Sequence, residues 1–279
     1  MVVAVGDVHA GSTVAVCPPE GIELDDGGMM TPNKIQQWLY GNWRSAWDQY
    51  GRLLDEYRPD TQALVLNGDL TDGVHHQSPQ VAPLVGQHFR AALRLLELGP
   101  LQYGAMDIHM VRGTEVHVGR AGELEEGIAR TLKASGSRLI EDPDTGQVSS
   151  YWRRFYVDGQ LFDCRHHGRF GQRTHTKDSY MRLYAHDVWE AHVRAGDRPP
   201  DIAFRSHNHN WGDSGRVVDM PTRVIALPAW QMLTAYGHRR AYEDLGKHGI
   251  CAVIVRDGRV LEPFPILFEP KRPTVVGAA

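Results

Sequence analysis

The stretch VVAVGDVHAG, residues 2–11, sets a pattern that the rest of the chain repeats. Its four apolar residues, Val2 to Val5, predict a short buried strand, and Gly6 and Gly11 bound the polar loop that follows. Because the strand begins at the second residue, we expect the amino terminus to lie in the core. A buried strand that delivers an Asp and a His into a glycine-bounded loop predicts a site at the end of a sheet.

The same alternation of apolar strand and polar loop returns along the chain. Further strands are predicted at 63–73, 108–111, 201–210 and 222–229, and hairpins at 151–168 and 250–266 with turns at Asp158-Gly159 and Asp257-Gly258. Helices are predicted at 35–57, 83–98, 121–134 and 177–195, a loop insertion at 18–33 and a flexible tail at about 270–279. Strands that alternate with helices and then form hairpins indicate an α/β sandwich. The polar loops follow strand ends, where open α/β sheets place their sites.

Composition narrows the class of protein. The chain has 279 residues, 42% hydrophobic and 23% charged, which is ordinary for a globular protein. Its formal net charge of -4 argues against a basic nucleic-acid footprint over the whole chain. No apolar run is long enough to span a bilayer, and no secretory signal is visible. Three cysteines without CxxC spacing fit a reducing compartment, so we expect a cytoplasmic protein without membrane contact.

Residue types that bind metals follow five of the predicted strands. They are Asp7 and His9, then Asp69 with Asp72, then Glu115 and His117, then His166 and His167, and finally His207 and His209. Residues i and i+2 of extended backbone point the same way, so a DxH or HxH pair can aim two ligands at one point. Each pair alone is a weak signal, because an Asp after a strand can cap a turn and a His can be an ordinary polar residue. Together they predict a metal centre.

The predicted ligand set suggests a reaction. Mixed carboxylate and imidazole ligands suit Mn, Fe, Zn, Co or Ni, and the set is large enough for two ions. Two ions roughly 3.5–4 Å apart form a clamp for in-line displacement at phosphorus. One carboxylate would bridge them, and a hydroxide between them would be the nucleophile. The residues alone therefore predict a phosphoester hydrolase.

The chain resembles the calcineurin-like metallophosphoesterases in the order of its motifs. GDVHAG, GDLTDG, an altered Gly-Asn-His element, a strand-terminal His pair and SHNHN follow one another between residue 4 and about residue 230. The resemblance implies an α/β fold in which a β-sandwich is flanked by helices in four αββα layers, formed here by a single domain over 1–279. It also implies a dinuclear metal site.

The resemblance assigns roles to most of the predicted ligands. The first ion would be bound by Asp7, His9 and His209, the second by His207 and either His166 or His167, with Asp69 bridging and catalytic. Of the His pair we prefer His166, since relatives with such a pair tend to use the first. The other His would contact substrate. Ser206 replaces the first Gly of the GHxH motif, which we expect the backbone to tolerate.

The stretch VRGTEVH, residues 111–117, departs most from the resemblance. The expected Asn, which supplies a carbonyl oxygen to the second ion, is replaced either by Thr114 or by Glu115. A threonine would be a poor, neutral ligand, whereas a glutamate would add charge and favour harder ions such as Mn²⁺ or Mg²⁺. We therefore predict Glu115 as ligand and His117 as the catalytic acid. The competing interpretation is that Glu115 caps the following helix.

The substrate is the least determined part of the prediction. A phosphodiesterase with two divalent ions, preferably Mn²⁺, is favoured by analogy with relatives that carry a His pair. Phosphoesters of nucleotides and nucleic acids are among the candidate substrates. The residues predicted to contact substrate are His75, Thr114, His167, Arg169 and Arg173. The alternatives are a DNA or RNA nuclease of the same fold and a non-catalytic scaffold with a degraded metal site.

Overall fold

The computed structural model describes residues 1–74, 82–169, 176–217, 220–240 and 245–270. Its strands are β1 Val2–Val5, β2 Ile22–Glu23, β3 Met29–Met30, β4 Ala63–Asn67, β5 Asp107–Val111, β6 Arg138–Leu139, β7 Ser149–Ser150, β8 Trp152–Val157, β9 Gln160–Arg165, β10 Ile202–Arg205, β11 Gly212–Asp213, β12 Arg223–Ala226, β13 His248–Val253, β14 Val255–Arg256, β15 Arg259–Val260 and β16 Phe264–Phe268. Its α-helices are α1 Lys34–Tyr57, α2 Val85–Glu97, α3 Glu115–Val118, α4 Glu123–Ala134, α5 Lys177–Arg194 and α6 Ala235–Arg240.

Two sheets are built from these strands. The first has the order β16-β13-β1-β4-β5-β6, with β7 also paired to β5, and its strands β1, β4 and β5 run parallel. The second has the order β11-β12-β10-β9-β8, with β9, β10 and β12 parallel. Parallel neighbours place their carboxyl ends at one edge, so the loops after β1, β4 and β5 lie side by side, as do those after β9 and β10.

Successive residues of the central strands face opposite layers, because side chains alternate along a strand. In β1, Val3 and Val5 pack with the buried face of helix α1, which includes Trp43. Their neighbours Val2 and Ala4 pack instead against the second sheet. Strands buried on both faces are continuously apolar, as the VVAV stretch is.

Three buried clusters show the order of the layers. The first joins α1, α2 and α4 to one face of the first sheet. The second lies between the sheets, where Phe162 and Phe204 meet Val65. The third joins α5 to the outer face of the second sheet. The chain therefore has the four-layer αββα fold that the sequence predicted, and the two sheets bring two sets of strand ends to one place.

Most predicted elements are confirmed, and the elements that were not predicted are all short, namely β2, β3, β6, β7, β11, α3 and α6. The 18–33 stretch is not loop throughout, because Ile22 pairs with Met30 in a small antiparallel hairpin. The short helix α3 was not predicted, and it changes the interpretation of VRGTEVH. Both hairpin turns are confirmed, and Asp158 and Asp257 have positive φ as expected. The predicted tail beyond residue 270 lies outside the described residues. Among the described helices, none combines the length and apolar character needed to cross a bilayer.

Candidate metal centre

The loops after β1 and β4 are tied together by their backbones. The amide of Asp7 donates to the carbonyl of Gly68 (2.9 Å), and the amide of His9 donates to the carbonyl of Asp69 (2.9 Å). A single parallel bridge between Ala10 and Thr71 continues the pairing past the strands. The side chains that leave these two loops are therefore held at a fixed separation.

The first group of candidate ligands consists of Asp7, His9 and His209. Nε2 of His9 lies 3.0 Å from Nε2 of His209. Oδ1 of Asp7 lies 3.9 Å from Nε2 of His9 and 3.8 Å from Nε2 of His209. Asp7 and His9 are buried, at 0% and 1% exposure, whereas the side chain of His209 is 30% exposed. Residues 200 positions apart in sequence thus converge on one point.

The second group is centred on Asp69 and His166. Nε2 of His166 lies 2.9 Å from Oδ2 of Asp69 and 3.8 Å from Oδ1 of Asp7, so the two groups share a border. His167 and His207 complete this group with His166, each offering one ring nitrogen within 4.8 Å of the others. Asp69 also groups with His9, which gives it the position between the two sets that a shared ligand would need.

Contacts outside the cluster fix which nitrogen of each buried imidazole faces it. Nδ1 of His9 donates to Oδ1 of Asp72 (3.0 Å), and the same oxygen accepts from Nε2 of Gln231 (2.9 Å). Nδ1 of His166 donates to the carbonyl of Asn67 (2.8 Å). In both rings Nε2 remains for the cluster. A ring whose second nitrogen is pinned by a carboxylate or carbonyl is typical of metal-binding histidines.

The candidate ligands occupy left-handed backbone. Asp7, His9, Asp69, His207 and His209 have φ between 50° and 73°. A non-glycine residue in this region carries roughly 1–3 kcal/mol of strain and persists only where the surroundings impose it. The other described non-glycine residues with positive φ lie at helix ends or turns, namely Arg58, Ala121, Asp158 and Asp257. Asp7 and His9 therefore reach one group, as their spacing predicted, but through left-handed and not extended backbone, whereas His207 and His209 belong to different groups.

The pKa values of the two buried carboxylates, Asp7 and Asp69, shift in opposite directions. Burial raises the pKa of Asp7 to about 6, and the positive charge of His166 only partly offsets it. Burial also opposes ionisation of Asp69, but the charge and hydrogen bond of His166 outweigh it and hold the pKa of Asp69 well below its usual range. For His166, burial disfavours the cation, but Asp69 and Asp7 raise its pKa to about 10. A positive charge therefore stands between the two carboxylates.

Two other imidazoles of the cluster, His207 and His209, are neutral at neutral pH. Burial and the charge of His166 lower the pKa of His207 to about 4. Burial and His9 lower the pKa of His209 well below its ordinary value. Neutral imidazole is the form that binds metals. The donor set of carboxylates and neutral rings therefore fits borderline divalent cations.

The distance between the ring nitrogens of His9 and His209 is close to the distance between two nitrogen ligands of one metal ion. Nδ1 of His9 is bonded to Asp72, so its Nε2 is the nitrogen that faces Nε2 of His209, 3.0 Å away. Two nitrogens bound at about 2.1 Å to one tetrahedral ion lie about 3.4 Å apart. The residues present therefore fit a divalent ion at this position.

Glu115 is the predicted ligand that the structure does not bring to the cluster. Helix α3 begins at Glu115, and its side chain is exposed. The preceding residue, Thr114, lies in extended backbone and points inward, where its hydroxyl donates to Oδ2 of Asp69 (3.1 Å). The residue in the position of the expected amide is thus Thr114. The competing interpretation placed Glu115 at the start of the following helix. The structure agrees with that position, although no side chain caps the helix.

His117 lies at the rim of the first group, with a ring nitrogen near His9 and Asp69. Its Nδ1 donates to the backbone carbonyl of Asp72 (2.6 Å). Burial and the charge of His9 lower its pKa to about 4. The neutral ring, with its proton on Nδ1, offers Nε2 as an acceptor. An acid role requires a second proton, so this role stays a prediction.

The residues predicted to contact substrate divide into three sets. Thr114 and His167 lie in the cluster, their Oγ1 and Nε2 atoms 3.3 Å apart. Arg169 is exposed. His75 and Arg173 lie outside the described residues. The neighbouring Arg165, also basic, turns away from the cluster and stacks over the ring of Trp152, 3.7 Å from its centroid.

Glu125 was missed by the sequence analysis. Its carboxylate, fully buried in α4, accepts from the amides of Gly113 (2.7 Å) and Leu70 (3.3 Å). It thereby joins the loop of Asp69 to the loop of Thr114. Burial, and to a lesser extent Asp69, raises its pKa to about 8. The available signal was an acidic residue at a helix position whose neighbours along one face, Ile128, Ala129 and Leu132, are apolar.

No protein-family model matches the sequence, and a search of curated proteins gives no match. A search of solved structures gives several chains of low sequence identity that align over most of this chain. Wild-type Vps29 from Entamoeba histolytica complexed with zinc is 11% identical, with 95% of this chain and 98% of that chain covered and a TM-score of 0.36. A novel archaeal phosphodiesterase is 11% identical over 95% and 98%, with a TM-score of 0.39.

Yfce, a phosphoesterase from E. coli, is 12% identical over 95% of this chain and 98% of that chain, with a TM-score of 0.37. Identities and TM-scores of this size carry no function to this chain. A proposal about its function therefore has to rest on its own side chains.

Proposed function

We propose that the chain is a phosphoester hydrolase that uses two divalent metal ions and acts preferentially on phosphodiesters. The observation that supports it is the convergence of two ligand groups on Asp69, which borders both. A lone metal position would not need a carboxylate shared in this way. When bound, two divalent ions would lower the pKa of water and neutralise the charge of a phosphoryl group.

The ligands divide between two positions. Asp7, His9 and His209 would bind the first ion, and His166 and His207 the second, with Asp69 between them. Of the His pair, His166 has the pinned Nδ1 and is the buried member, which supports the preference for it as ligand. Mn²⁺ is the ion predicted from the sequence, and Fe, Zn, Co, Ni and Mg are its competitors.

His117 would act on the leaving group. Its Nδ1 is hydrogen-bonded to the carbonyl of Asp72, which fixes the orientation of the ring. With both nitrogens protonated the ring would donate a proton to the departing alkoxide, which needs such help more than p-nitrophenolate does. Substitution of His117 should therefore slow esters with poor leaving groups more than activated ones.

A cavity next to His209 in the sequence is an argument for substrates that extend beyond one phosphate group. It has a volume of about 390 Å³ and begins one residue past His209, at Asn210 and Trp211. Lys177, Arg182 and Lys247 contribute to its wall, together with Asp178 and Asp213. Cationic side chains beside an indole favour an anionic group joined to a planar one. A nuclease acting on short nucleic acids is therefore the second candidate.

The test is hydrolysis by chelator-stripped protein reconstituted with Mn²⁺ or Co²⁺. We expect turnover of bis(p-nitrophenyl) phosphate to exceed that of p-nitrophenyl phosphate, and a single-stranded oligonucleotide tests the second candidate. Asp69→Asn should abolish turnover, whereas the exposed α5 variant His186→Ala should not change it. Two metal equivalents without turnover of any substrate, or less than one equivalent, would instead support a scaffold.

A further inference from the structure

The hydroxyl of Thr114 has more neighbours than it can bond. Around its Oγ1 lie Oδ2 of Asp69 (3.1 Å), Nδ1 of His207 (3.1 Å), Nε2 of His166 (3.3 Å) and Nε2 of His167 (3.3 Å). A hydroxyl offers one proton and two lone pairs. Its proton goes to Asp69, which also pairs with Nε2 of His166 (2.9 Å), and the ring nitrogens of His167 and His207 remain for its lone pairs. Four side chains of metal-binding residue types therefore converge on this one hydroxyl.

A shared cation would explain the convergence. The three ring nitrogens of His166, His167 and His207 lie within 4.8 Å of one another, and Asp69 closes the set. Three imidazoles are the ligand set of several zinc sites. The ring of His167 lies against that of His207, with centroids 4.6 Å apart, so both approach from the solvent side.

The altered VRGTEVH stretch explains why the second metal position would need a third imidazole. The amide expected between Gly113 and the helix is absent, and Glu115 is exposed at the start of α3. Thr114, in its place, is already hydrogen-bonded to Asp69 through both its amide (2.6 Å) and its hydroxyl. One ligand of the second position is therefore missing from this loop, and His167 is the described donor that faces the same point.

We propose that His167 is a metal ligand, and that it replaces the missing amide at the second position. This inference rests on the two-metal site of the proposed function. The second position would then be held by three imidazoles and Asp69, with His167 bound to metal and not to substrate. Nitrogen-rich sets favour Zn²⁺, Co²⁺ and Ni²⁺, whereas carboxylate and carbonyl oxygens favour Mn²⁺ and Mg²⁺.

The experiment follows Co²⁺ binding to the stripped full-length protein by visible absorption and by metal analysis. We expect two equivalents in the wild type. In His167→Ala, the affinity for one equivalent should fall at least about tenfold while the other is unchanged. The absorption of the weakened equivalent should shift, because a nitrogen ligand is replaced by water. His186→Ala is the matched control, and circular dichroism of the metal-free variants checks folding.

Added imidazole separates a ligand from a structural role. In His167→Ala, free imidazole should restore both the affinity and the spectrum of the weakened equivalent, and it should do neither in Thr114→Val. Unchanged affinities and an unchanged spectrum in His167→Ala would overturn the inference while leaving the two-metal site intact. Fewer than two equivalents in the wild type would overturn the proposed function itself.

Discussion

The two halves of the site differ in how they are held. Asp7 and His9 are buried, and the hydrogen bonds that they donate to the Asp72 carboxylate and to carbonyls of the β4 loop fix them. On the other side, His166 is buried, but His167 and His207 are exposed, and their rings contact each other, His166 and Thr114. The first half is therefore shaped by the fold, whereas the second is shaped by side chains that reach solvent.

This difference suggests a division of labour. A buried ligand loses little entropy when it binds an ion, because its rotamer is already fixed, while an exposed ring has to be ordered at that moment. We therefore expect the first half to hold its ion tightly. The second half would exchange its ion more readily and lie nearer to the entering substrate.

The largest effect should come from Asp69, which both halves share. In Asp69→Asn, the loss of a shared negative charge should weaken both metal equivalents and lower kcat/KM by more than about 100-fold. Metal analysis and diester hydrolysis measure this. Asp187→Asn, an exposed change in α5, is the control. Two equivalents held at wild-type affinity in Asp69→Asn would remove the reason for treating the halves as joined.

A chelator titration tests the comparison directly. Dipicolinate should remove the two ions at clearly different concentrations, by about tenfold or more if exposure governs the affinity. The His207→Ala variant should retain the tightly held ion and lose the weak one, and His9→Ala should show the reverse. If both ions leave together in the wild type, the contrast in burial has no counterpart in affinity.

Asp72 tests how much of the tighter binding comes from outside the cluster. Asp72→Asn should lower affinity for the first ion about 10- to 100-fold, because a neutral amide orients and polarises His9 less well than a carboxylate. Affinity for the second ion should change little, and calorimetric titration measures both. Equal losses in both ions would mean that Asp72 supports the whole cluster.

The smallest effect concerns stability and pH. Burial raises the pKa of Glu125 to about 8 in the folded protein, above the ordinary pKa of a glutamate in the unfolded chain. A carboxyl with a raised pKa stabilises the fold fully below its unfolded value, and that stability is lost as pH rises through 8. The Tm of the metal-free protein should therefore fall from pH 5 to pH 9.

The Gln variant supplies the control for that prediction. In Glu125→Gln the Glu125 contribution to the fall should disappear, so the drop in Tm should be smaller by at least about 2 °C. Differential scanning calorimetry at both pH values measures it. An identical drop in the two proteins would show that Glu125 is not the group that loses its proton.

The sheets and the convergence of Asp7 and Asp69 were predictable because each depends on a local pattern. A strand that is buried on both faces has to be apolar throughout, so VVAV and ALVLN are recognisable without a structure. Parallel strands end at one edge, so Asp7 and Asp69 could be expected to meet. These inferences need no knowledge of distant contacts.

The second half of the site was less predictable, since it depends on where one short helix begins. Whether Thr114 or Glu115 faces the cluster is decided by a single residue of register at α3. The role of Glu125 depends on the tertiary contact of α4 with two loops. Neither is encoded in a local motif, and sequence patterns fix element boundaries poorly.

The left-handed backbone at the ligand positions has a consequence for how the chain can be optimised. Glycine adopts this conformation without penalty, so selection for stability alone would favour glycine at residues 7, 9, 69, 207 and 209. Chelating side chains stand there instead. In an unbiased search for thermostable mutants of the metal-free protein, these positions should yield hits, and each hit should be inactive. The candidate metal centre would then be the part of the sequence where activity and stability favour different residues.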